Sequence, residues 1–421
     1  MQKAMNLMAL ASVVSLTTQL AVLLYYSHED YVDYSDRSLF HTTFIYTFSL
    51  GIFFMLISEY YDGDNFLFSK QDALFYFKQS SKVWEVGLSD NIMRIMREFE
   101  SEDWGALFYD TIALYLVPNK LFVNFINTFL GATGAVYLYR IGKCFMPYSY
   151  AFLASLAYST SSYIVFFNCS FLKESIFVFF VISVLYYHYQ YVLNNSRLSL
   201  FGMILCVGIL FFFRPAVAAF IVLSLFVYYA IKQKGNALSL FLYGAAIIGI
   251  LLSMKLMMDT IESNTAGGNM DAVLEDTNNS SYSAGFNLFM SFFGAFFGPF
   301  PALIQRFEEP SYVEFLGAGL TYKLFLVGPF WYGIYAIIKN REIELYPLAI
   351  FISVEMLATG AVMASLELRK VILHVPFMYI IAYYGIYKGF LPIRMSHLSA
   401  LPTYLFVVAV VLLWNVIKVK T

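Results

Sequence analysis

The sequence predicts an all-α, polytopic membrane protein of about 11 to 13 transmembrane helices. Two observations carry this prediction. First, 60% of the 421 residues are apolar and only 13% are charged, whereas about 25% of the residues in an average soluble domain are charged. Second, apolar runs of about 18 residues or more, long enough to cross a bilayer core of roughly 30 Å, recur along nearly the whole chain. We therefore expect one integral membrane domain over residues 1–421.

Individual spans follow from these runs. The run at 5–26 has no clear cleavage site after it, which favours a retained helix over a signal peptide. The stretch 286–305 contains two prolines and nearby glycines, so we expect it to be re-entrant or interfacial rather than a straight span. The candidate spans are 5–26, 38–58, 119–139, 148–167, 175–193, 198–213, 216–231, 237–257, 312–338, 344–363, 371–390 and 400–417.

The distribution of Lys and Arg predicts the orientation, because cytoplasmic loops hold an excess of both. These residues fall at alternate turns, at Arg140 and Lys143, Arg197, Lys232 and Lys234, Lys339 and Arg341, and Lys388 and Arg394. The remaining turns are then extracytoplasmic, and they include two large polar loops at 59–118 and 258–311. Both termini also lie outside in this arrangement. If 286–305 crosses the membrane, everything after it inverts.

Charge and cysteine content exclude some functional classes. The net charge is −2 and the pI is about 6.2, so no basic field favours a nucleic-acid partner. Cys144, Cys169 and Cys206 are widely spaced in apolar surroundings, which offers neither a CxxC pair nor a zinc-binding set. We expect them to be packing residues.

The loop 59–118 is the longest polar interval before residue 250, and it contains the candidate catalytic acid. Residues 71–85 and 88–100 are predicted to form short helices, and 104–117 is too short to cross, which favours helices along the membrane surface. Asp72 and Tyr76 would share one face of a helix. A carboxylate can take the proton from an acceptor hydroxyl as a general base. The alternative is an exposed loop acid, as for Asp62, Asp64, Asp90 or Asp103.

Two sites near predicted span ends carry unusual charges. Lys173 and Glu174 interrupt two apolar runs; they suit a phosphate beside a group that binds sugar hydroxyls or a metal, or else they form an ion pair at the membrane interface. Arg214 lies between Phe213 and Pro215. Its guanidinium suits phosphate oxygens, and because a permanent charge near hydrocarbon is costly, a functional role is favoured over a structural one.

Further cations fall in the later predicted outer turns. Arg369 and Lys370 precede His374, and Arg306 lies near two glutamates, Glu308 and Glu309. Several cations on one membrane face suit the phosphate or diphosphate of a lipid substrate, and they suit an anionic lipid headgroup equally well.

The order of these features resembles the GT-C superfamily of polytopic glycosyltransferases. The resemblance covers about residues 38–390 as an order of short motifs. The motifs are Asp72-x-x-x-Tyr76, Tyr139-Arg140-Ile141-Gly142-Lys143, Leu172-Lys173-Glu174-Ser175, Phe213-Arg214-Pro215, Phe297-Gly298-Pro299-Phe300-Pro301 and Leu368-Arg369-Lys370. The last two are similar to features of bacterial members found with surface-polysaccharide genes, including repeat-unit polymerases.

The resemblance implies an enzyme of the bacterial cytoplasmic (inner) membrane whose site faces outside, where a polyprenyl-phosphate-linked sugar donor meets a glycan acceptor. Asp72 would then be the general base, and Glu174 would orient the substrate. The leaving phosphate and the remaining substrate would be bound by Lys173, Arg214, Arg369, Tyr76, Lys370, Arg306 and His374. The chain departs from the common pattern in its extra helix at 5–26. It also has no paired carboxylate at Asp72, which leaves open whether a divalent metal takes part.

Two other functional classes remain as alternatives. A flippase or transporter of a lipid-linked oligosaccharide predicts ionisable groups near the middle of the membrane, whereas nearly all the conspicuous charges here cluster at one predicted face. A membrane scaffold leaves Arg214 and the Lys173-Glu174 pair unexplained. The enzyme is therefore the favoured hypothesis.

Overall fold

A computed structural model describes residues 2–28, 34–63, 66–67, 72–99, 101–232, 313–362, 371–390 and 409. The described residues are all-helical, with no strand among them, so the predicted all-α class is confirmed for this part of the chain. The second predicted loop, 258–311, and the predicted spans 237–257 and 400–417 lie outside the described residues, as does the stretch 286–305.

The helices follow the predicted segments closely. In chain order they are α1 (Gln2–His28), α2 (Asp36–Asp62), α3 (Asp72–Ser81), α4 (Val83–Val86), α5 (Leu88–Glu98), α6 (Ser101–Leu116), α7 (Lys120–Gly142), α8 (Tyr148–Ser159), α9 (Ser162–Cys169), α10 (Glu174–Asn194), α11 (Arg197–Phe213), α12 (Pro215–Lys232), α13 (Val313–Phe325), α14 (Val327–Asn340), α15 (Tyr346–Val362) and α16 (Val375–Gly385). Short 3-10 turns at Ile343–Leu345 and Val371–Leu373 precede α15 and α16, and a π-helical turn, Ile386–Phe390, ends the series.

Four described helices are long and apolar enough to cross a membrane: Asp36–Tyr60, Lys120–Gly142, Glu174–Asn194 and Pro215–Lys232. The bent pair α8 and α9 makes a fifth if it forms one span. These helices support a membrane protein, while the larger number of spans stays a prediction.

One predicted span, 148–167, is bent by 56° between α8 and α9. The hydroxyl of Thr160 donates to the carbonyl oxygen of Leu156 at 2.7 Å, and bonds of this kind favour helix bends. The bend is held by α13, because the backbone N–H of Gly319 donates to the Ser162 hydroxyl at 2.8 Å. A Cβ at Gly319 would lie 2.3 Å from the Ser161 hydroxyl, so only glycine allows this close approach.

A second predicted span, 312–338, is two helices that meet at Leu326. Pro329 lies in the first turn of α14. Proline has no backbone N–H to donate to the residue four positions earlier, and its ring clashes with that carbonyl. The helix therefore stops at Phe325 and restarts at Val327, where a proline in the first turn is tolerated.

Ion pairs gather at one end of the bundle, which we call the cation-rich end. Asp36 binds Arg140 at 2.7 Å and Lys143 at 3.6 Å. In the same way, Lys232 binds Glu344 at 2.8 Å, and Lys388 binds Glu342 at 3.2 Å. The cations that the sequence assigned to alternate turns on one face therefore pair around the ends of α7, α12 and α14.

The first predicted loop packs as a compact set of helices rather than as open chain. The indole of Trp84 donates to the Leu114 carbonyl oxygen at 3.0 Å, which joins α4 to α6. The Arg94 guanidinium bonds the Gln79 carbonyl oxygen at 2.8 Å, which joins α5 to α3. A Cβ at Gly105 would lie 2.8 Å from Phe213, so α6 lies directly against the end of α11.

Candidate functional site

The structure brings four predicted site residues together around one that was not predicted as a site residue, Asp103. The Tyr76 hydroxyl donates to Asp103 Oδ1 at 3.0 Å, and the Lys173 ammonium donates to the same oxygen at 2.7 Å. The Lys173 Nζ also lies 5.7 Å from the centre of the Tyr76 ring. The carboxylates of Glu174 and Asp72 lie within electrostatic range of the Tyr76 hydroxyl. We call these five residues the Asp103 cluster.

Helix ends position the acids of the Asp103 cluster. Asp72 is the first residue of α3, Glu174 is the first residue of α10, and Asp103 lies in the first turn of α6. The partial positive charge at a helix N-terminus stabilises a carboxylate there by about 0.3–1 kcal/mol. The local sequence therefore places three carboxylates where three helices begin.

The Asp103 cluster is partly open to solvent. The side chain of Lys173 is 13% exposed and that of Asp103 is 30% exposed, and Asp72 is half-buried. Because the ion pair is not sealed, a phosphate arriving from solvent can compete with Asp103 for Lys173. Glu174, by contrast, is buried.

Tyr76 stays protonated in this setting. Burial raises the pKa of Tyr76 well above its usual value, and the negative charge and hydrogen bond of Asp103 raise it further, followed by the charges of Glu174 and Asp72. A hydroxyl that cannot ionise remains a donor, so Tyr76 fixes Asp103 in place without adding a negative charge.

Arg214 lies near the Asp103 cluster, at the junction of α11 and α12. Pro215 begins the next helix, so the backbone of Arg214 is extended. Its guanidinium carbon lies 5.3 Å from the centre of the Phe177 ring, one turn after Glu174 on α10. Within the described part of the chain, Arg214 forms no ion pair with a carboxylate. Its charge is therefore available for an anion.

The other predicted binding residues do not join this group. His374 is fully buried and is hydrogen-bonded through Nδ1 to the carboxylate of Glu355. Lys323 is also buried, within electrostatic range of Glu355. We call Lys323, Glu355 and His374 the Glu355 cluster. Arg306, Arg369 and Lys370 lie outside the described residues.

Sequence reasoning treated Asp103 as one of several loop acids and passed over Lys323 and Glu355. Nothing local distinguishes Asp103, because its pairing partner Lys173 lies 70 residues away in the chain. For Glu355 a signal did exist. It is a single carboxylate within the apolar run of α15, and ionisable residues in such runs are functional candidates by default.

A group of three His, Cys, Asp or Glu side chains placed to hold a metal ion does not occur among the described residues. The Asp103 cluster nevertheless combines carboxylates, an ammonium and a phenol with a guanidinium nearby. This set can accept a proton from a hydroxyl and can bind a phosphate. Comparison with protein-family models and with curated proteins found no match to this chain.

Proposed function

We propose that the chain is a membrane glycosyltransferase. It joins a sugar or oligosaccharide carried on a polyprenyl phosphate or diphosphate to an acceptor hydroxyl at the extracytoplasmic face, either as a transferase or as a repeat-unit polymerase of surface polysaccharide. The observation that supports this proposal best is the Asp103 cluster with Arg214 beside it, because it places acids and phosphate-binding cations at one partly open site.

In the proposed reaction, Asp72 accepts the proton of the acceptor hydroxyl. The acceptor oxygen then forms a bond to the anomeric carbon of the donor sugar, and the bond from that carbon to the lipid phosphate breaks with its electron pair on the phosphate. Lys173 and Arg214 stabilise the negative charge that develops there, as preplaced donors do in other transfer reactions. Glu174 orients the sugar.

Asp103 and Tyr76 have a positioning role in this scheme. In the absence of substrate Asp103 holds the Lys173 ammonium at 2.7 Å. An arriving phosphate bonds to the Lys173 ammonium beside Asp103 or in its place. The hydrogen bond from Tyr76 holds the Asp103 carboxylate in its position when Lys173 turns toward the phosphate. The cation then lies where the leaving group forms.

The test is glycosyl transfer by the purified protein in proteoliposomes supplied with a polyprenyl-diphosphate-linked glycan, with products measured by gel and mass spectrometry. Arg214→Ala is expected to slow transfer by about 10²-fold or more, the usual cost of removing one stabilising donor. Arg197→Ala is the matched control, because Arg197 is exposed at the start of α11, at the other end of that helix. Transfer that continues at the wild-type rate in Arg214→Ala contradicts the assignment of Arg214 to the phosphate site.

One observation favours the second candidate, a flippase or transporter of a lipid-linked oligosaccharide. The Glu355 cluster places ionisable groups inside the bundle, which the sequence alone had not indicated and which transport pathways commonly contain. Proteoliposomes with a fluorescent lipid-linked glycan separate the two functions. A transporter makes the glycan accessible to an external lectin without a change in its mass, whereas a glycosyltransferase changes the mass.

A further inference from the structure

The Glu355 cluster is the most deeply enclosed set of ionisable groups in the described part of the chain. The exposed fractions are 2% for Lys323, 1% for Glu355 and 0% for His374. The three residues come from three different segments: α13, α15 and the position just before α16. Distant parts of the sequence therefore meet at one buried polar point.

This point lies well inside the bundle. Glu355 is nine positions beyond Tyr346, where α15 begins beside the cation-rich end, and nine positions of α-helix span about 14 Å. That depth is about half of a bilayer core of roughly 30 Å. Water does not cover these groups, so each must be satisfied by a neighbour.

The charges of the Glu355 cluster balance in one protonation state. In that state an ionised Glu355 offsets the charge of a Lys323 ammonium within its electrostatic range, and because an ionised carboxylate only accepts hydrogen bonds, Nδ1 of a neutral His374 carries the hydrogen of the bond between Glu355 and His374. The second nitrogen, Nε2, is then a bare acceptor. It is buried and has no hydrogen-bond partner among the residues that the structure describes, and an unsatisfied buried acceptor costs about 1–3 kcal/mol.

We propose that the Glu355 cluster is a proton-binding site and that His374 Nε2 is the atom that takes up the proton. The lone pair of Nε2 forms an N–H bond with a proton from water, no bond in the protein breaks, and the cluster gains one positive charge. Histidine is the side chain that exchanges a proton most readily near neutral pH. The three residues of the Glu355 cluster are at most 2% exposed, so the cluster can exchange little that is larger than a proton.

Tyrosine hydroxyls lie on both sides of the Glu355 cluster, and we infer that they form the route of the proton. Toward the Asp103 cluster, the Tyr163 hydroxyl lies within electrostatic range of both Glu355 and Glu174. A cavity of about 10 Å³ near this route is lined by Asn168, Ser175 and Ile372 among others, and this is about the space that one water molecule needs.

In the other direction the route continues through tyrosines. Tyr379 lies within electrostatic range of Tyr163, and its ring centre is 6.2 Å from that of Tyr322. The Tyr322 and Tyr383 hydroxyls are hydrogen-bonded at 2.8 Å. Hydroxyl groups therefore follow one another from the Glu355 cluster along α16.

Titratable groups face Glu355 from three of the described elements. Lys323 faces it from α13, Tyr163 from α9 and His374 from the turn before α16. Helix α12 also packs against α15, but its titratable groups lie in its last turns beside Glu344: Tyr228, Tyr229 and Lys232. The negative charge that favours a proton on His374 is therefore that of Glu355.

The test is a pH titration by NMR of the full chain in proteoliposomes with ¹⁵N-labelled histidine. The chain has five histidines, His28, His41, His188, His374 and His397, and the signals of His374 are assigned by their loss in His374→Gln. If that variant does not fold, the four single Gln variants at the other positions assign His374 by elimination. We expect the ¹⁵N shifts of His374 to change from those of a neutral ring to those of an imidazolium within the titration.

Glu355→Gln sharpens the test, because glutamine keeps a hydrogen-bond acceptor but removes the negative charge. The midpoint of the His374 transition is expected to move at least one pH unit lower in this variant. A His374 ring that stays neutral from pH 5 to pH 8 in folded wild-type protein overturns the proposal and leaves the cluster a structural contact. The experiment does not use glycosyl transfer, so this inference and the proposed function can fail separately.

Discussion

The Asp103 cluster and the Glu355 cluster each place a carboxylate beside a nitrogen base, in opposite settings. Lys173 and Asp103, which form an ion pair, are 13% and 30% exposed, whereas Glu355 and its hydrogen-bond partner His374 are 2% and 1% exposed at their side chains. An ion pair that is open to solvent can exchange a partner for a substrate. A sealed one can change its protonation and little else. This difference in burial is why we propose a substrate site at the Asp103 cluster and a proton site at the Glu355 cluster.

The largest expected effect is all-or-none and concerns which cluster faces outside. In Asp90→Cys with Cys144→Ser, an impermeant maleimide is expected to label intact cells, because Asp90 is exposed on α5, which packs with α3 and α6 in the first predicted loop. The wild-type chain is the control. Its exposed cysteine, Cys144, lies at the cation-rich end, so labelling requires permeabilised cells.

The slow reaction of the Cys144 thiol determines how long the labelling experiment must run. Burial raises the pKa of the Cys144 thiol to about 11, and the thiolate is the reacting form. Labelling must therefore run long enough to reach completion in permeabilised cells. Complete labelling of Cys144 in intact cells reverses the orientation and moves the Asp103 cluster to the cytoplasm.

The next largest effect compares buried and exposed ion pairs. Glu355→Ala removes the buried carboxylate that bonds to His374 and that lies within electrostatic range of Lys323, and loss of one partner from a buried charged group destabilises a protein by about 3–5 kcal/mol. Glu98→Ala is the matched control, because it removes the carboxylate of an ion pair with Arg94 and the Glu98 side chain is 51% exposed. Exposed pairs contribute at most about 1 kcal/mol. Thermal unfolding in detergent measures both, and equal losses contradict the contrast.

A smaller effect is expected within the Asp103 cluster. Tyr76→Phe removes one hydrogen bond to Asp103, and the expected loss of stability is about 0.5–1.5 kcal/mol. Tyr148→Phe is the control, since Tyr148 is 67% exposed. An unchanged melting temperature in Tyr76→Phe means that the bond to Asp103 does not hold the cluster together.

The helices could be predicted from the sequence because apolar periodicity and length are local properties. The ends of α7 and α10 fall within a few residues of the predicted spans. The breaks at Thr160 and Leu326 were not predicted, although Pro329 is a local signal for the second. The break at Thr160 depends on Gly319, a residue far away in the chain, which lets α13 pack closely against the start of α9.

The site could be predicted only in part, because contacts between distant segments are not local properties of the sequence. Asp72, Tyr76, Lys173, Glu174 and Arg214 were identified because charges beside apolar runs are visible in the sequence. Asp103 was not distinguished from other acids, since its role depends on contacts with residues from two other segments. His374 was predicted to bind substrate at an outer turn, and the structure places it on buried Glu355 instead.

A pH-dependent effect is expected at Asp110 in α6, a buried acid outside both clusters. Burial raises the pKa of Asp110 well above its usual value. The unfolded chain ionises near pH 4 while the folded chain does not, so the wild type loses stability as the pH rises above that value. Each pH unit of difference is worth about 1.4 kcal/mol.

Asp110→Asn does not titrate, so its melting temperature relative to wild type is expected to rise between pH 4 and pH 7. Asp90→Asn is the control, because it makes the same substitution at an exposed aspartate. A gap between Asp110→Asn and wild type that stays constant with pH contradicts a raised pKa in the folded protein.

The central claim, that Asp72 is the base of a glycosyl transfer at the Asp103 cluster, is tested most directly by comparing three Asn variants in the proteoliposome assay. Asp72→Asn is expected to lower the transfer rate by about 10²–10⁴-fold, the usual contribution of a general base. Asp103→Asn is expected to lower it less, and Asp90→Asn is expected to keep the wild-type rate. Transfer by Asp72→Asn at the wild-type rate would contradict the account.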